Sequence, residues 1–351
     1  FDVLSMSCRL LPSLFLLYSV GYMKSKKTIL FSGIQPSGNL HIGNYLGAVK
    51  NWVDLQNEGK HTCIFSIVDY HALSGNKSAE ERRSQIFVTA CELLALGIDP
   101  KKSIFFVQSH VPEHTELAWI FNTITPMAEL ERMTQYKDKA AHQAENINAG
   151  LFTYPVLQSA DVLLYHTNIV PVGQDQVQHI ELARDTARWF NNKFGAYFPE
   201  PKHVLTPVPK VMSLLHPEKK MSKSHGMDSV IELADSPEEI VRKLKKAVTA
   251  TEAGSGSVGV HNLLGLLREF GGADAYQSFA DSEANGSIRY GELKSALSDG
   301  ISSYFAEFRK KRAYYISHPR IVSAALMFGA RRASALARHT MKEVRQKIGV
   351  R

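Results

Sequence analysis

Cysteine is scarce and scattered in this chain. Cys8, Cys63 and Cys91 form no CxxC pair and stand at no zinc-ligand spacing from histidine, which excludes a disulfide framework and a structural metal site. Cys63 and Cys91 lie inside apolar runs and read as buried thiols acting as small hydrophobes. Long apolar stretches are missing too: residues 10–20 form a run of 11, too short to span a bilayer, so no membrane partner is expected. Acidic residues nearly vanish at the end of the chain, where residues 309–351 hold twelve Lys or Arg against one acid, Glu343. The remaining 29 basic and 33 acidic residues give a net of −4, so the overall +7 belongs to the C-terminus. Such a stretch is often only a solvated helical face; it is also the charge pattern of an RNA-phosphate contact.

What is present is a globular chain with a distinct front. Its 351 residues and 44% hydrophobic content suffice for one large domain and a smaller one. Residues 1–23 carry Arg9, one acid (Asp2), several serines and the apolar run, with Lys24, Lys26 and Lys27 following; they read as a targeting presequence. The mitochondrial matrix is the expected location, with a plastid or the cytoplasm as alternatives.

Residues 28–34 read as a strand, the turn 35–39 follows, and Ile42, Leu46, Val49 and Val53 define one apolar face of a helix. Further strands fall at 63–68 and 104–107. Between them Ser78 and Glu81 form a capping box for a helix that stops at Gly97. Residues 169–172 return as a strand before a helix at 174–192. This alternation predicts an α/β fold, a Rossmann-like doubly wound parallel sheet over 24–227 with a helical insertion at about 112–150. Its ligand is expected beyond the C-terminal strand ends, where strand order reverses. Residues 228–351 lose the strand signals and predict an α-helical C-terminal domain.

The chemistry concentrates in two segments. Ser32-Gly33-Ile34-Gln35-Pro36-Ser37-Gly38-Asn39-Leu40-His41-Ile42-Gly43-Asn44 is neither a Walker loop nor a GxGxxG fingerprint, yet its glycines let backbone approach a phosphate at a helix N-terminus. His41, expected one turn inside that helix, can donate to a phosphate oxygen as charge moves; alone it is more often just a capping histidine. The second segment, Lys219-Lys220-Met221-Ser222-Lys223-Ser224, puts three ammonium groups and two hydroxyls on a short connection. Charge runs usually belong to solvated loops, but point charges on a loop are also what a departing pyrophosphate needs.

His41 to Asn44 resembles the HIGH signature of class I aminoacyl-tRNA synthetases, and Lys220 to Ser224 matches their KMSKS signature letter for letter. Around them, residues 31–44, 67–71, 129–136, 153–165 and 170–181 resemble the tryptophan-specific family of that class. The resemblance is continuous from about residue 27 to 246 and weaker to the end. It implies an ATP-dependent ligase that activates L-tryptophan and loads it onto tRNA(Trp). It also implies ATP as substrate, Mg²⁺ held largely by phosphate and water, and a homodimer to which the insertion contributes.

By that resemblance Gln35, Pro36, Ser37, Gly43 and Asn44 would hold ATP, with His41 near the phosphates. Gly173, Gln174 and Asp175 would meet the adenosine half, and the backbone at Val211 the adenine. Lys220, Met221, Ser222, Lys223 and Ser224 would take the pyrophosphate side, joined by Lys139. Asp161 resembles the carboxylate that accepts the indole N–H; Tyr154 and Gln176 would address the amino group. Phe31, Gly33, Val170 and Val172 would wall the indole, with His71 and Gln158 close by. The helical domain would take the anticodon end of tRNA. Three departures are present: Asn44 takes the last place of the HIGH signature, as is common in this subfamily; His225-Gly226 replaces the usual Asp-Pro after KMSKS, from which a floppier loop is expected; and Gln174 replaces a usual Glu. The tyrosine-specific sister family, a synthetase-derived RNA-binding protein without catalysis and a small adenylyltransferase with an HxGH site are the alternatives.

Overall fold

The computed structural model describes residues 27–134, 148–205, 211–249 and 257–350. Five parallel strands form one sheet: β1 (Ile29–Ile34), β2 (Thr62–Ile67), β3 (Ile104–Val107), β4 (Ile169–Val172) and β5 (Lys202–Leu205), in the order β3-β2-β1-β4-β5. The register is regular from Ile29 against Thr62 to Ile34 against Ile67, and β4 joins the free side of β1 at Leu30 and Ile169. Strand order therefore reverses between β1 and β4, and the cleft outside their carboxyl ends is the place where such sheets bind ligands.

Alternation along the strands divides the core in two. Leu30, Cys63, Phe65 and Phe105 face the helical stretch 42–58, through Leu46, Val49 and Trp52, and the helix Ala79–Leu96, through Leu94. Phe31, Ile64 and Phe106 face the other way, onto Val156 and Ala160 of the helix Ala149–Leu163 and Ile180 and Ala187 of the helix Val177–Phe194. Every residue of β2 is buried, which explains why it is mostly apolar and shows no alternation of apolar and polar residues. The strand β5 had no clear signal in the sequence, for it is a mostly exposed edge of only four residues.

Beyond residue 228 the longer elements are helical: Pro237–Lys246, Val258–Phe270, Ala273–Ala284, Tyr290–Tyr304, Ala306–Ser317 and Pro319–Ile348. The last of these starts at a proline, whose missing N–H is harmless at the first helical turn. It returns to the sheet, where Ala330, Ala333, Ala337 and Met341 join the second core. Gly329 makes the approach possible: a Cβ there would lie 1.7 Å from the Phe105 carbonyl oxygen. Sequence reading assigned this helix to a separate C-terminal domain, and its small-residue face instead covers β3. Among the described residues no helix is long and apolar enough to cross a membrane.

Candidate active site

The glycine-rich turn leaves β1 at the switch point. Gly33 is exposed next to the buried Leu30, Phe31 and Ser32, and a Cβ there would meet the Val68 side chain at 2.8 Å. Gln35 and Ser37 are exposed beside it, Pro36 is buried, and Gly38 takes φ +89°, a conformation that favours glycine. His41 is the N-cap of the following helix and not a residue one turn inside it, as the sequence had suggested. Its backbone N–H donates to Asn44 Oδ1 at 3.1 Å. The helix then winds as a π-helix over Tyr45–Val49, a local form often found at functional sites. Burial, reinforced by Lys223, lowers the His41 pKa from 6.5 to about 4, so the ring is neutral near pH 7. Its buried Nδ1 has no hydrogen-bond partner, and a side chain at Gly43 would strike the ring at 2.9 Å.

The KMSKS segment is brought to this turn by backbone pairing. Met221 N–H donates to the Val211 carbonyl at 2.9 Å and Ser213 N–H to the Lys219 carbonyl at 2.8 Å. On the far side Ile42 N–H donates to the Ile231 carbonyl and Leu233 N–H to the Leu40 carbonyl, at 3.0 and 2.9 Å. The signature is thus held between Val211 and the start of the first helix. Lys223–His225 form one 3-10 turn whose cap is the Ser222 hydroxyl, accepting from Ser224 N–H at 3.3 Å. Gly226 closes it at φ +97°, which the family's usual proline cannot adopt. Residues 222–226 thus form a capped turn whose last residue takes a conformation that favours glycine.

Both signature lysines face carboxylates. Lys223 Nζ lies 2.8 Å from Glu232 Oε1, and exposed Lys220 lies 3.9 Å from Asp175 Oδ1. Asp175 sits with Gly173 and Gln174 just after β4, all three exposed. Burial raises the Asp175 pKa, but the Gln176 hydrogen bond and Lys220 outweigh it and leave the value below the ordinary one. Gln176 Nε2 donates to Asp175 Oδ2 at 3.0 Å, and Gln158 Nε2 to Gln176 Oε1 at 3.4 Å, so these residues form one polar wall.

Deeper in the cleft, Asp161 on the helix Ala149–Leu163 is 1% exposed. Gln108 Nε2 donates to both its oxygens, at 2.7 and 2.9 Å. His71 Nε2 lies 2.9 Å from Oδ2 and His114 Nδ1 2.6 Å from Oδ1, while His114 Nε2 lies 2.8 Å from the Tyr165 hydroxyl. Burial pushes the Asp161 carboxyl up, and His114 and His71 more than reverse it, to about 2. The carboxylate is therefore ionised and fixed in orientation, with two donor contacts on each oxygen. Tyr154 lies edge-on to His71 with ring centroids 6.3 Å apart, and its hydroxyl is 3.0 Å from His179 Nε2. Phe31 stacks on Tyr165 at 5.8 Å; Val170 is buried on the same side and Val172 half-buried.

The turn after β1 thus meets the KMSKS segment through Lys223, the stretch after β4 meets it through Lys220, and Asp161 lies with His71 and with Gln108 and His114, which follow β2 and β3; Lys139 lies outside the described residues. Gln108, His114 and Tyr165 escaped the sequence reading, because nothing in local pattern says that three separate segments meet at Asp161. Glu92 and Glu232 escaped it as well, although a glutamate within the apolar Thr89–Ala95 run was a visible signal. Among the described residues no three His, Cys, Asp or Glu side chains form a group that could hold a metal ion.

Comparison with known proteins bears on this geometry. The family described as "tRNA synthetases class I (W and Y)" matches residues 23–306. A curated tryptophan–tRNA ligase of Wolinella succinogenes is 42% identical over 330 residues, 92% of this chain and 99% of that protein. The tryptophanyl-tRNA synthetase of Campylobacter jejuni, solved with ADP and tryptophan, superposes with a TM-score of 0.81 at 36% identity, covering 92% of this chain and all of that one. The Mycoplasma pneumoniae tryptophanyl-tRNA synthetase gives 0.82 at 32% identity, over 93% and 98% of the two chains.

Proposed function

From the premise that the chain belongs to the class I tRNA synthetases of the tryptophan and tyrosine group, we propose that it activates L-tryptophan with ATP and loads it onto tRNA(Trp). The observation that supports this most is the meeting of the two signatures at the turn after β1, with the buried, ionised Asp161 on the same helix as Gln158, which bonds to Gln176 beyond β4. The tryptophan carboxylate attacks the α-phosphorus of ATP, the bond to the β-phosphate oxygen breaks, and pyrophosphate leaves. The adenylate then passes tryptophan to the terminal ribose hydroxyl of tRNA, with AMP as the leaving group. Neither step needs a side-chain nucleophile, so positioning and charge stabilisation carry both.

In this reading the turn Gln35–Ser37, Gly43 and Asn44 cradle ATP and Gly173 to Asp175 meet the adenosine half. Lys220, Lys223 and Lys139 then neutralise pyrophosphate. Neutral His41 offers a hydrogen bond and not a charge. Asp161 accepts the indole N–H, which takes the place of one of its present donors. Tyr154 and Gln176 address the amino group, with His71 and Gln158 close by, and Phe31, Gly33, Val170 and Val172 wall the ring. Mg²⁺ enters with the nucleotide, since Glu232 and Asp175 are already opposite lysines. Exposed Trp119 and Met127, 71% and 62% accessible on the helices Glu113–Asn122 and Met127–Glu131, support a homodimer through this insertion. The composition of residues 1–23 supports a mitochondrial matrix location.

Amino-acid-dependent ATP–pyrophosphate exchange, with Trp, Tyr and Phe offered separately, tests the proposal. Exchange with Trp alone is expected; exchange with Tyr moves the chain to the sister specificity, and no exchange removes the enzymatic reading. Lys223→Ala is expected to lower exchange by roughly 10²- to 10³-fold, the scale of losing one charge-stabilising donor, with tryptophan binding kept. An equal loss of tryptophan affinity counts against that role.

A further inference from the structure

A polar chain runs from the C-terminal helices to the second signature lysine. Lys223 Nζ lies 2.8 Å from Glu232 Oε1 and donates to the Asn39 carbonyl at 2.5 Å. Asn39 Nδ2 donates to the other Glu232 oxygen at 2.8 Å. Arg312, from the helix Ala306–Ser317, donates through Nη2 to Asn39 Oδ1 at 2.8 Å and through Nε to Glu92 Oε1 at 2.7 Å. Glu92 is fully buried, and its Oε2 accepts the Leu40 N–H at 2.6 Å. Every link is a direct hydrogen bond or ion pair, and the side chains come from five separate stretches of the sequence.

The consequence for the polyphosphate step is competitive. An ammonium has three N–H donors, and Lys223 must withdraw the two held by a carboxylate and a carbonyl before it can turn fully onto a phosphate. A ligand that needs the released form binds more weakly, by the fraction of molecules in which release has happened. Lys223 is three-quarters buried and Glu232 almost fully so, which keeps this pair from being screened like an exposed one.

We propose that Glu232 is a positioning residue for Lys223: it holds the ammonium on the Asn39 turn until a polyphosphate displaces it, and Arg312, by fixing Asn39, ties that grip to the C-terminal helices. This rests on the function proposed above. Inorganic pyrophosphate titrated into the full chain with Mg²⁺, followed by isothermal calorimetry, reads it without amino acid or tRNA. Glu232→Gln keeps hydrogen-bonding capacity and removes the charge, and is expected to tighten pyrophosphate about fivefold, the difference between a charged and a neutral hydrogen-bond partner. Glu232→Asp keeps the charge and shortens the reach, and is expected to tighten it as well. In a Lys223→Ala background Glu232→Gln is expected to change nothing, because the two residues then no longer share an interaction.

A gain that survives in Lys223→Ala is a general field effect and overturns the proposal, as does the absence of a gain in both Glu232 variants or of any pyrophosphate binding by the unaltered chain. Arg312→Lys keeps a positive charge beside Glu92 but cannot fork to Asn39; it is expected to give a smaller gain than Glu232→Gln, and no gain overturns the link to the C-terminal helices. Tryptophan-dependent exchange by the unaltered chain decides the function separately, so the two readings fail on different measurements.

Discussion

Burial alone would neutralise Asp161, and the donors around it oppose that strongly enough to hold its pKa at about 2. Asp161→Asn keeps the shape but turns one acceptor into an amide donor facing His71, His114 and Gln108, all of which donate. The tryptophan KM in exchange is expected to rise roughly 10- to 100-fold, the cost of mispairing a buried polar group, and an unchanged KM removes Asp161 from recognition. His41 and His166 show the opposite side of burial. Each is lowered from 6.5 to about 4, chiefly by desolvation. As pH falls below 6.5 the unfolded chain takes up a proton at each, and the folded chain does so only near 4. Their contribution to stability is thus complete above 6.5 and is lost as pH falls towards 4. Urea midpoints at pH 7.5, 6 and 5 should decline in that order; a flat series contradicts the assignment. Of these residues Asp161 and His41 were legible from motif context, whereas His166 has no sequence signal, since its desolvation comes from the fold around it.

At the scale of elements, two glycines in helices make opposite predictions. Gly329 touches the backbone of β3, and neither side can move without disturbing the sheet. Gly329→Ala is expected to cost about 3 kcal/mol in denaturant unfolding, at the upper end of overpacking effects. Gly265, in the helix Val258–Phe270, has open space where a Cβ would go. Gly265→Ala is expected to gain up to about 1 kcal/mol from helix propensity. Equal signs for the two would contradict the described crossing of helix and strand. Four strands were visible from apolar runs because parallel strands buried on both faces leave that trace. The edge strand Lys202–Leu205 and the π-helix at Tyr45–Val49 were not, for an exposed edge has no hydrophobic pattern and a π-helix is set by the packing around it.

Across the whole molecule, the basic C-terminus divides into two groups. Arg312 pairs with Glu92, Arg345 grips Glu116 with both ends of its guanidinium, and Arg332 donates to the carbonyls of Pro100 and Ser103 at 2.9 Å. These bind the C-terminal helices to the elements around the sheet, while Lys311, Arg320, Arg331, Arg338 and Lys342 stay exposed. Arg312→Ala leaves Glu92 buried without its counter-ion and is expected to destabilise the chain by about 3–5 kcal/mol, read as a lowered denaturant midpoint. The double change with Glu92→Gln should recover part of that loss, and no recovery would place the damage elsewhere.

By itself the sequence determined the parallel sheet, the position of the cleft and the two signatures, because these follow from local periodicity and from short contiguous motifs. Only the tertiary structure decided what surrounds Asp161, that Lys223 faces Glu232, and that the last helix covers β3. Those depend on residues tens to hundreds of positions apart, such as Asn39 and Arg312, whose meeting is settled by how helices cross the sheet and leaves no pattern along the chain.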